Sequence, residues 1–223
     1  NYLTLGYLMN GIVVLISGRG SNLQAICKAG LTQHISCVIS NNQEALGLEF
    51  ARQQGLATQI IDNKNFASRE AFDHALRICI DQYAPRLVVL AGFMRILTAS
   101  FVNHYADKII NIHPSLLPAF IGAKAQSCAL NAKVKVSGVT VHFVTDKLDH
   151  GPIIAQGIVP VLPDDSEEEL SARILRLEHV VYPFVIQKLI ANQVVIKQDL
   201  TVKVAKAKSD AETLGEYAQF IFY

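Results

Sequence analysis

The sequence predicts an α/β fold, a mostly parallel sheet with helices on both faces and an antiparallel hairpin towards the C-terminus. Three observations carry this. Continuous apolar runs such as Gly11 to Ser17 and Leu87 to Ala91 have the look of strands buried on both faces. Helical spacing alternates with such runs as far as residue 113, the order that gives a parallel sheet. Two further runs, 136–145 and 153–159, flank a short turn, as the strands of a hairpin do.

Composition narrows the function classes. A chain of 223 residues can bury a full core. Its 51% apolar and 17% charged residues exclude a disordered chain. The net charge is +1 with no basic stripe, so small-molecule substrates are expected rather than nucleic acid. Cys27, Cys37, Cys79 and Cys128 form no CxxC pair and have no histidine at zinc spacing. They read as free thiols in a reducing, cytoplasmic compartment, with no metal. Residues 1–10 read as an N-terminal extension of unknown role, with Met9 a natural start. They lack the basic region and cleavage site of a signal peptide, and no membrane partner is expected.

The elements follow in order. The first strand, 11–17, runs into Gly18-Arg19-Gly20-Ser21-Asn22, after which Leu23, Ile26 and Cys27 have helical spacing. Glycines let a backbone approach closely, and amides at a helix N-terminus face an anion. Leu23 stands where a dinucleotide fingerprint has its last glycine, which favours a mononucleotide-like phosphate. The same residues also suit a tight turn with Ser21 or Asn22 as N-cap. A second strand at 35–40, a turn at Asn41-Asn42, a helix at 44–54 closed by Gly55 and a third strand at 58–61 come next. Ser68 caps a helix from Arg69 to Tyr83, whose apolar residues share one face. After the strand 87–91, the loop Phe93 to Leu97 could wall a flat aromatic ligand. Thr98 caps a short helix, and the alternation of strands and helices reads as Rossmann-like.

The run Lys108 to Phe120 (K-I-I-N-I-H-P-S-L-L-P-A-F) holds the chemistry. Side chains alternate along a strand, so Asn111 and His113 share a face. Pro114 ends the strand, and ligands of open α/β sheets bind at strand C-termini. Asp149 lies in the turn of the hairpin. If that turn reaches His113, a carboxylate joins an imidazole that can move protons and a carboxamide that can donate to an oxyanion. No serine or cysteine nucleophile stands beside them, which favours direct transfer through a tetrahedral intermediate. Ser166 and Glu169 fit a capping box for a helix running towards Ile190, with Pro183 kinking or ending a segment. Residues 197–223 read as a strand or two and a loose tail.

Five motifs stand together in this order: G-x-G-S-N, A-G-F-M-R-I-L, N-I-H-P-S-L-L-P, V-H-F-V-T-D-x-L-D-x-G-P-I-I and E-H-x-x-Y-P. From Asn10 to Asn192 the chain resembles the phosphoribosylglycinamide formyltransferases, within the folate-dependent formyltransferase superfamily. The resemblance implies a purine-pathway enzyme, monomer or homodimer, that uses 10-formyltetrahydrofolate as co-substrate and no metal. It implies one formyltransferase domain at 11–196, with a nucleotide-binding half at 11–110, a folate and catalytic half at 111–196, and a tail at 197–223. By motif, His113 is the general acid–base, Asn111 the oxyanion donor and Asp149 the partner of His113. Gly20, Ser21 and Asn22 hold the ribonucleotide phosphate, and Glu178 contacts the ribose. Met94, Arg95, Ile96 and Leu97 border the pterin, as does the loop Thr145, Asp146, Lys147, Leu148 and Asp149, and Arg69 faces the folate tail. The chain departs from the family after S-L-L-P, where Ile121 replaces a proline and Ala123-Lys124-Ala125-Gln126 replaces a loop bearing a histidine or aromatic. Other formyltetrahydrofolate-using transferases or hydrolases, and a non-catalytic nucleotide-binding module, are the alternatives.

Overall fold

The structure, a computed structural model, describes residues 11–223. The expected extension at 1–10, with Met9, lies outside the described residues. Two compact units divide the chain, one ending at Asn111 and the other starting at Ile112.

The first unit is built on parallel strands. β1 (Ile12–Ile16) pairs with β2 (Ile35–Ser40) on one side and with β4 (Leu87–Leu90) on the other. β2 in turn pairs with β3 (Thr58–Ile60), and β4 pairs with β5 (Ile109–His113) through Asn111. Every residue of β1, β2 and β4 is buried, as continuous apolar runs require of strands covered on both faces. Between them run α1 (Ser21–Ile26), α2 (Leu46–Gln53), α3 (Arg69–Asp81) and α4 (Ala99–His104). α3 buries Phe72, Leu76, Cys79 and Ile80 along one face, and Ser68 caps it by accepting from the Ala71 amide. Thr98 caps α4, and its own amide donates to Asp73 Oδ2 at 2.6 Å, which ties α4 to α3.

The second unit is antiparallel. After α5 (Ala125–Asn131), β6 (Val136–Phe143) and β7 (Ile153–Pro160) form the expected hairpin. β6 stops at Phe143, leaving Thr145 in the turn with Asp149. α6 (Glu167–Ile190) opens on the predicted capping box, with both reciprocal bonds between Ser166 and Glu169 present.

Of the two expectations for Pro183, a kink or the end of a segment, the second does not hold, since Pro183 lies inside one helix of 24 residues. Val181, Tyr182, Phe184, Val185 and Ile186 around it are all buried, and their packing offsets the lost hydrogen bond. α6 lies close on β7: a Cβ at Gly157 would stand 2.8 Å from Leu177 Cδ2.

Residues 197–223 hold more structure than their polar composition suggests. β8 (Val194–Ile196) and β9 (Val202–Val204) form a second antiparallel pair. α7 (Asp210–Leu214) follows, and β10 (Ile221–Phe222) pairs antiparallel with β7. Buried Lys188 of α6 anchors the segment, with Nζ 2.6 Å from Asp210 Oδ1 and donating to the Ala205 carbonyl at 3.0 Å. Asp210 Oδ2 also accepts from the Tyr223 hydroxyl at 2.9 Å.

Candidate active site

β5 ends at His113, as Pro114 dictates. The hairpin turn brings Asp149 to it: Asp149 Oδ2 lies 3.6 Å from His113 Nδ1, with both side chains under a tenth exposed, at 6% and 7%. Asp149 stands in the left-handed region at φ 54, which aspartate tolerates better than most residues and which a tight turn uses. The Gly122 amide donates to the same Oδ2 at 3.0 Å, so the carboxylate is also tied to the loop after Pro118.

The other ring nitrogen is committed. His113 Nε2 lies 2.9 Å from the Phe120 carbonyl oxygen. A carbonyl only accepts, so Nε2 carries the proton and donates. Nδ1 is therefore the nitrogen left to take up and release a proton, and it is the one facing Asp149. At 3.6 Å the pair is within ion-pair reach but too long for a direct hydrogen bond. A backbone carbonyl thus holds one ring nitrogen, and the carboxylate faces the other.

Asn111 precedes His113 by two residues in β5 and is half-buried. Strand alternation puts its carboxamide on the same face.

Sequence reading overlooked His142. This buried ring lies behind the carboxylate, with Nε2 3.9 Å from Asp149 Oδ1 and Nδ1 2.8 Å from the Phe143 carbonyl. Burial pushes its pKa below the ordinary 6.5, assisted by His113 and opposed by the Phe143 carbonyl and Asp149. Well above pH 6.5 the His142 ring is neutral both folded and unfolded, and its titration does not affect stability. As pH falls through 6.5 the unfolded chain takes up a proton that the folded ring does not, so stability declines. Urea unfolding of His142→Gln against the unsubstituted chain should therefore show a shallower acid-side decline, by up to about 1.4 kcal/mol per pH unit. Equal slopes would contradict this.

The glycine-rich turn is built differently from the side-chain-capped alternative. Gly20 itself caps α1 in the left-handed region at φ 74, and no side chain makes the cap bond. Ser21 and Asn22 are the first two helical residues, so their amides lie at the N-terminal end of α1. A Cβ at Gly20 would stand 2.8 Å from Gly47 Cα, and the Gly47 amide donates to the Gly18 carbonyl at 3.0 Å. The turn is thus clamped backbone to backbone against α2.

Ser17 and Asn41, polar residues at the ends of apolar strands, join the loops of the first unit. Ser17 Oγ donates to Asn41 Oδ1 at 2.6 Å and accepts from the Met94 amide at 2.8 Å. Asn41 Nδ2 donates to Asn63 Oδ1 at 2.9 Å. The bond from the Met94 amide to Ser17 fixes the start of the 94–97 loop, where Met94 is 75% and Ile96 59% exposed. Arg95 lies over the Phe72 ring at 5.9 Å, and Leu97 is half-buried. Arg69 opens α3 and lines a cleft of about 470 Å³ with Asp73, Arg77, Thr98 and Phe101.

In the hairpin turn Asp146, Lys147 and Leu148 are exposed, while Thr145 bonds the Lys147 carbonyl at 3.2 Å. Glu178 is buried on α6 rather than a surface carboxylate. One turn further on, burial pushes the Tyr182 hydroxyl well up, and the charge of Glu178 adds to this. All four cysteines are free thiols, three of them buried. No described helix is long and apolar enough to cross a membrane.

Comparison with known proteins agrees with this architecture. Residues 10–186 match the formyl transferase family. The chain is 53% identical over 179 residues to phosphoribosylglycinamide formyltransferase of Escherichia coli (strain K12), covering 78% of this chain and 84% of that protein. With the enzyme of the same name from Haemophilus influenzae it shares 41% over 203 residues, covering 89% and 96%. The crystal structure of glycinamide ribonucleotide transformylase 1 from Symbiobacterium toebii matches with a TM-score of 0.84 at 45% identity, covering 89% and 95%. With so much of its length matched, and with near-complete relatives at this identity, the chain belongs to the formyl transferase family.

Proposed function

We propose that this chain transfers the formyl group of 10-formyltetrahydrofolate to the amine of glycinamide ribonucleotide in purine biosynthesis. The observation that carries the reading is the buried Asp149 carboxylate 3.6 Å from Nδ1 of a His113 ring whose Nε2 is already committed. The amine nitrogen attacks the formyl carbon, and the carbonyl electron pair moves onto oxygen. The Asn111 carboxamide donates to that oxyanion. His113 Nδ1 takes the proton lost by the amine and delivers it to N10 of the folate as the C–N10 bond breaks, giving tetrahydrofolate. The negative charge of Asp149 stabilises the imidazolium that forms in between. No covalent enzyme intermediate is required.

In the same reading the amides of Gly20, Ser21 and Asn22 hold the ribonucleotide phosphate, and Glu178 contacts the ribose. Met94, Arg95, Ile96 and Leu97, with Thr145, Asp146, Lys147, Leu148 and Asp149, border the pterin, and Arg69 meets the folate tail. The nucleotide half is 11–110 and the folate and catalytic half 111–196. The enzyme works in the cytoplasm as a monomer or homodimer, without a metal.

The test is purified protein with both substrates, followed by tetrahydrofolate release. Release that requires glycinamide ribonucleotide and matches its formylation is the expected result. Release without the ribonucleotide would make the chain a hydrolase, and no release would make it a binding module.

Gly20→Ala tests the phosphate assignment. The added methyl meets Gly47 Cα at 2.8 Å in a conformation that L-residues rarely adopt, so the turn must shift. KM for the ribonucleotide should rise by about tenfold, the equivalent of one weakened charge-assisted hydrogen bond, with KM for the folate unchanged. A rise in the folate KM alone would overturn the assignment.

A further inference from the structure

One of the two ring nitrogens of His113 is fixed by a backbone carbonyl, and a buried side chain reaches that carbonyl in turn. His113 Nε2 donates to the Phe120 carbonyl at 2.9 Å. Phe120 is at φ 55, a backbone conformation that a bulky residue adopts only when its surroundings impose it. Ser115 supplies the constraint. It is fully buried, its Oγ donates to the Ala119 carbonyl at 2.6 Å, and it lies 3.3 Å from the Phe120 carbonyl.

Ser115 is itself fixed from behind. Thr140 Oγ1 donates to the Ser115 carbonyl at 2.7 Å and accepts from the Leu117 amide at 3.0 Å and from Gln156 Nε2 at 3.0 Å. Gln156 Nε2 also donates to the Leu117 carbonyl at 2.9 Å. The hairpin strands β6 and β7 thus supply the two polar side chains that hold the turn after His113, and Thr140 is fully buried.

We propose that Ser115 is a positioning residue for His113: by holding the Ala119 and Phe120 carbonyls inward it commits Nε2 as the donor and leaves Nδ1 to move the proton. Without the hydroxyl the Ala119 carbonyl loses its short bond and the strained Phe120 peptide can rotate. Nε2 then loses its acceptor. The neutral ring is free to carry its proton on Nδ1, beside Asp149, where it cannot accept another. The inference rests on His113 as the acid–base of the proposed reaction, but its primary readout needs no turnover.

The experiment is long-range nitrogen–proton correlation NMR of ¹⁵N-histidine-labelled protein at a pH where His113 is neutral, with kcat and KM measured on the same samples. The unsubstituted chain should show the Nε2–H form. Ser115→Ala should show a substantial Nδ1–H population and a kcat at least about tenfold lower, with KM values within about twofold, because a ring in the wrong tautomer binds nothing worse but cannot accept the proton. Ser115→Cys keeps a weaker donor and should fall between the two; if Ser115→Ala does not fold, it carries the test alone. An Nδ1–H ring in the unsubstituted chain, or an Nε2–H ring and unchanged kcat in the folded variant, would overturn the proposal. Loss of turnover with the tautomer unchanged would also overturn it. An Nε2–H ring that shifts as expected in a protein without formyl transfer would instead contradict the proposed reaction and leave the positioning role standing.

Discussion

His113→Ala should lower kcat for formyl transfer by about a thousandfold, the middle of the range that a positioned acid–base supplies. Its Nδ1 faces Asp149 at 3.6 Å while its Nε2 is tied to the Phe120 carbonyl. His142 also approaches the carboxylate, but at a longer 3.9 Å, and burial disfavours its charged form. It cannot take over. The variant should still fold. His113 sits at the very end of β5, and Asp149 keeps its bond from the Gly122 amide at 3.0 Å, so the carboxylate is not stranded. Thermal unfolding should give a single cooperative transition, and steady-state kinetics should show the loss in kcat rather than in KM. Near-normal turnover from a folded variant would remove His113 from the chemistry.

Asp149→Asn has the second large expected effect, a fall in kcat of about a hundredfold to a thousandfold. Asparagine matches the shape of aspartate and keeps an acceptor for the Gly122 amide, so the turn should hold. What it removes is the negative charge beside Nδ1. The imidazolium formed when His113 takes the amine proton then has no counter-charge in a buried site, where a charge interaction is worth far more than in water. A carboxamide NH₂ turned towards Nδ1 would in addition bind the lone pair that has to accept the proton. KM values should change little, since the loss falls on the state in which charge has developed. A variant with intact kcat and raised KM would make Asp149 a binding residue instead.

Much of this site could be read in the chain before the coordinates. The burial of β1, β2 and β4 followed from unbroken apolar runs, and the end of β5 at His113 from Pro114. The capping box followed from Ser166 and Glu169 at the right spacing. The harder features share a physical cause. The acceptor that fixes His113 is the carbonyl of Phe120, and a backbone atom leaves no mark in a residue pattern. Gly20 rather than Ser21 or Asn22 caps α1, because G-R-G-S-N encodes a left-handed glycine and a side-chain cap equally well; contact with Gly47 favours the glycine. Pro183 breaks no helix because buried neighbours outweigh its missing donor. His142 reads as an ordinary inward residue of an alternating strand, and only the return of the hairpin turn sets it against Asp149. The short strands β8, β9 and β10 are below the length at which periodicity speaks.

The central claim is that His113 and Asp149 act as one proton-moving unit, and the double-mutant cycle of His113→Ala and Asp149→Asn in kcat tests it most directly. If the carboxylate works through the imidazole, removing it from a protein that already lacks the ring should change the rate by less than about threefold. If the double variant instead loses the product of the two single effects, the residues act independently and the account of the site fails.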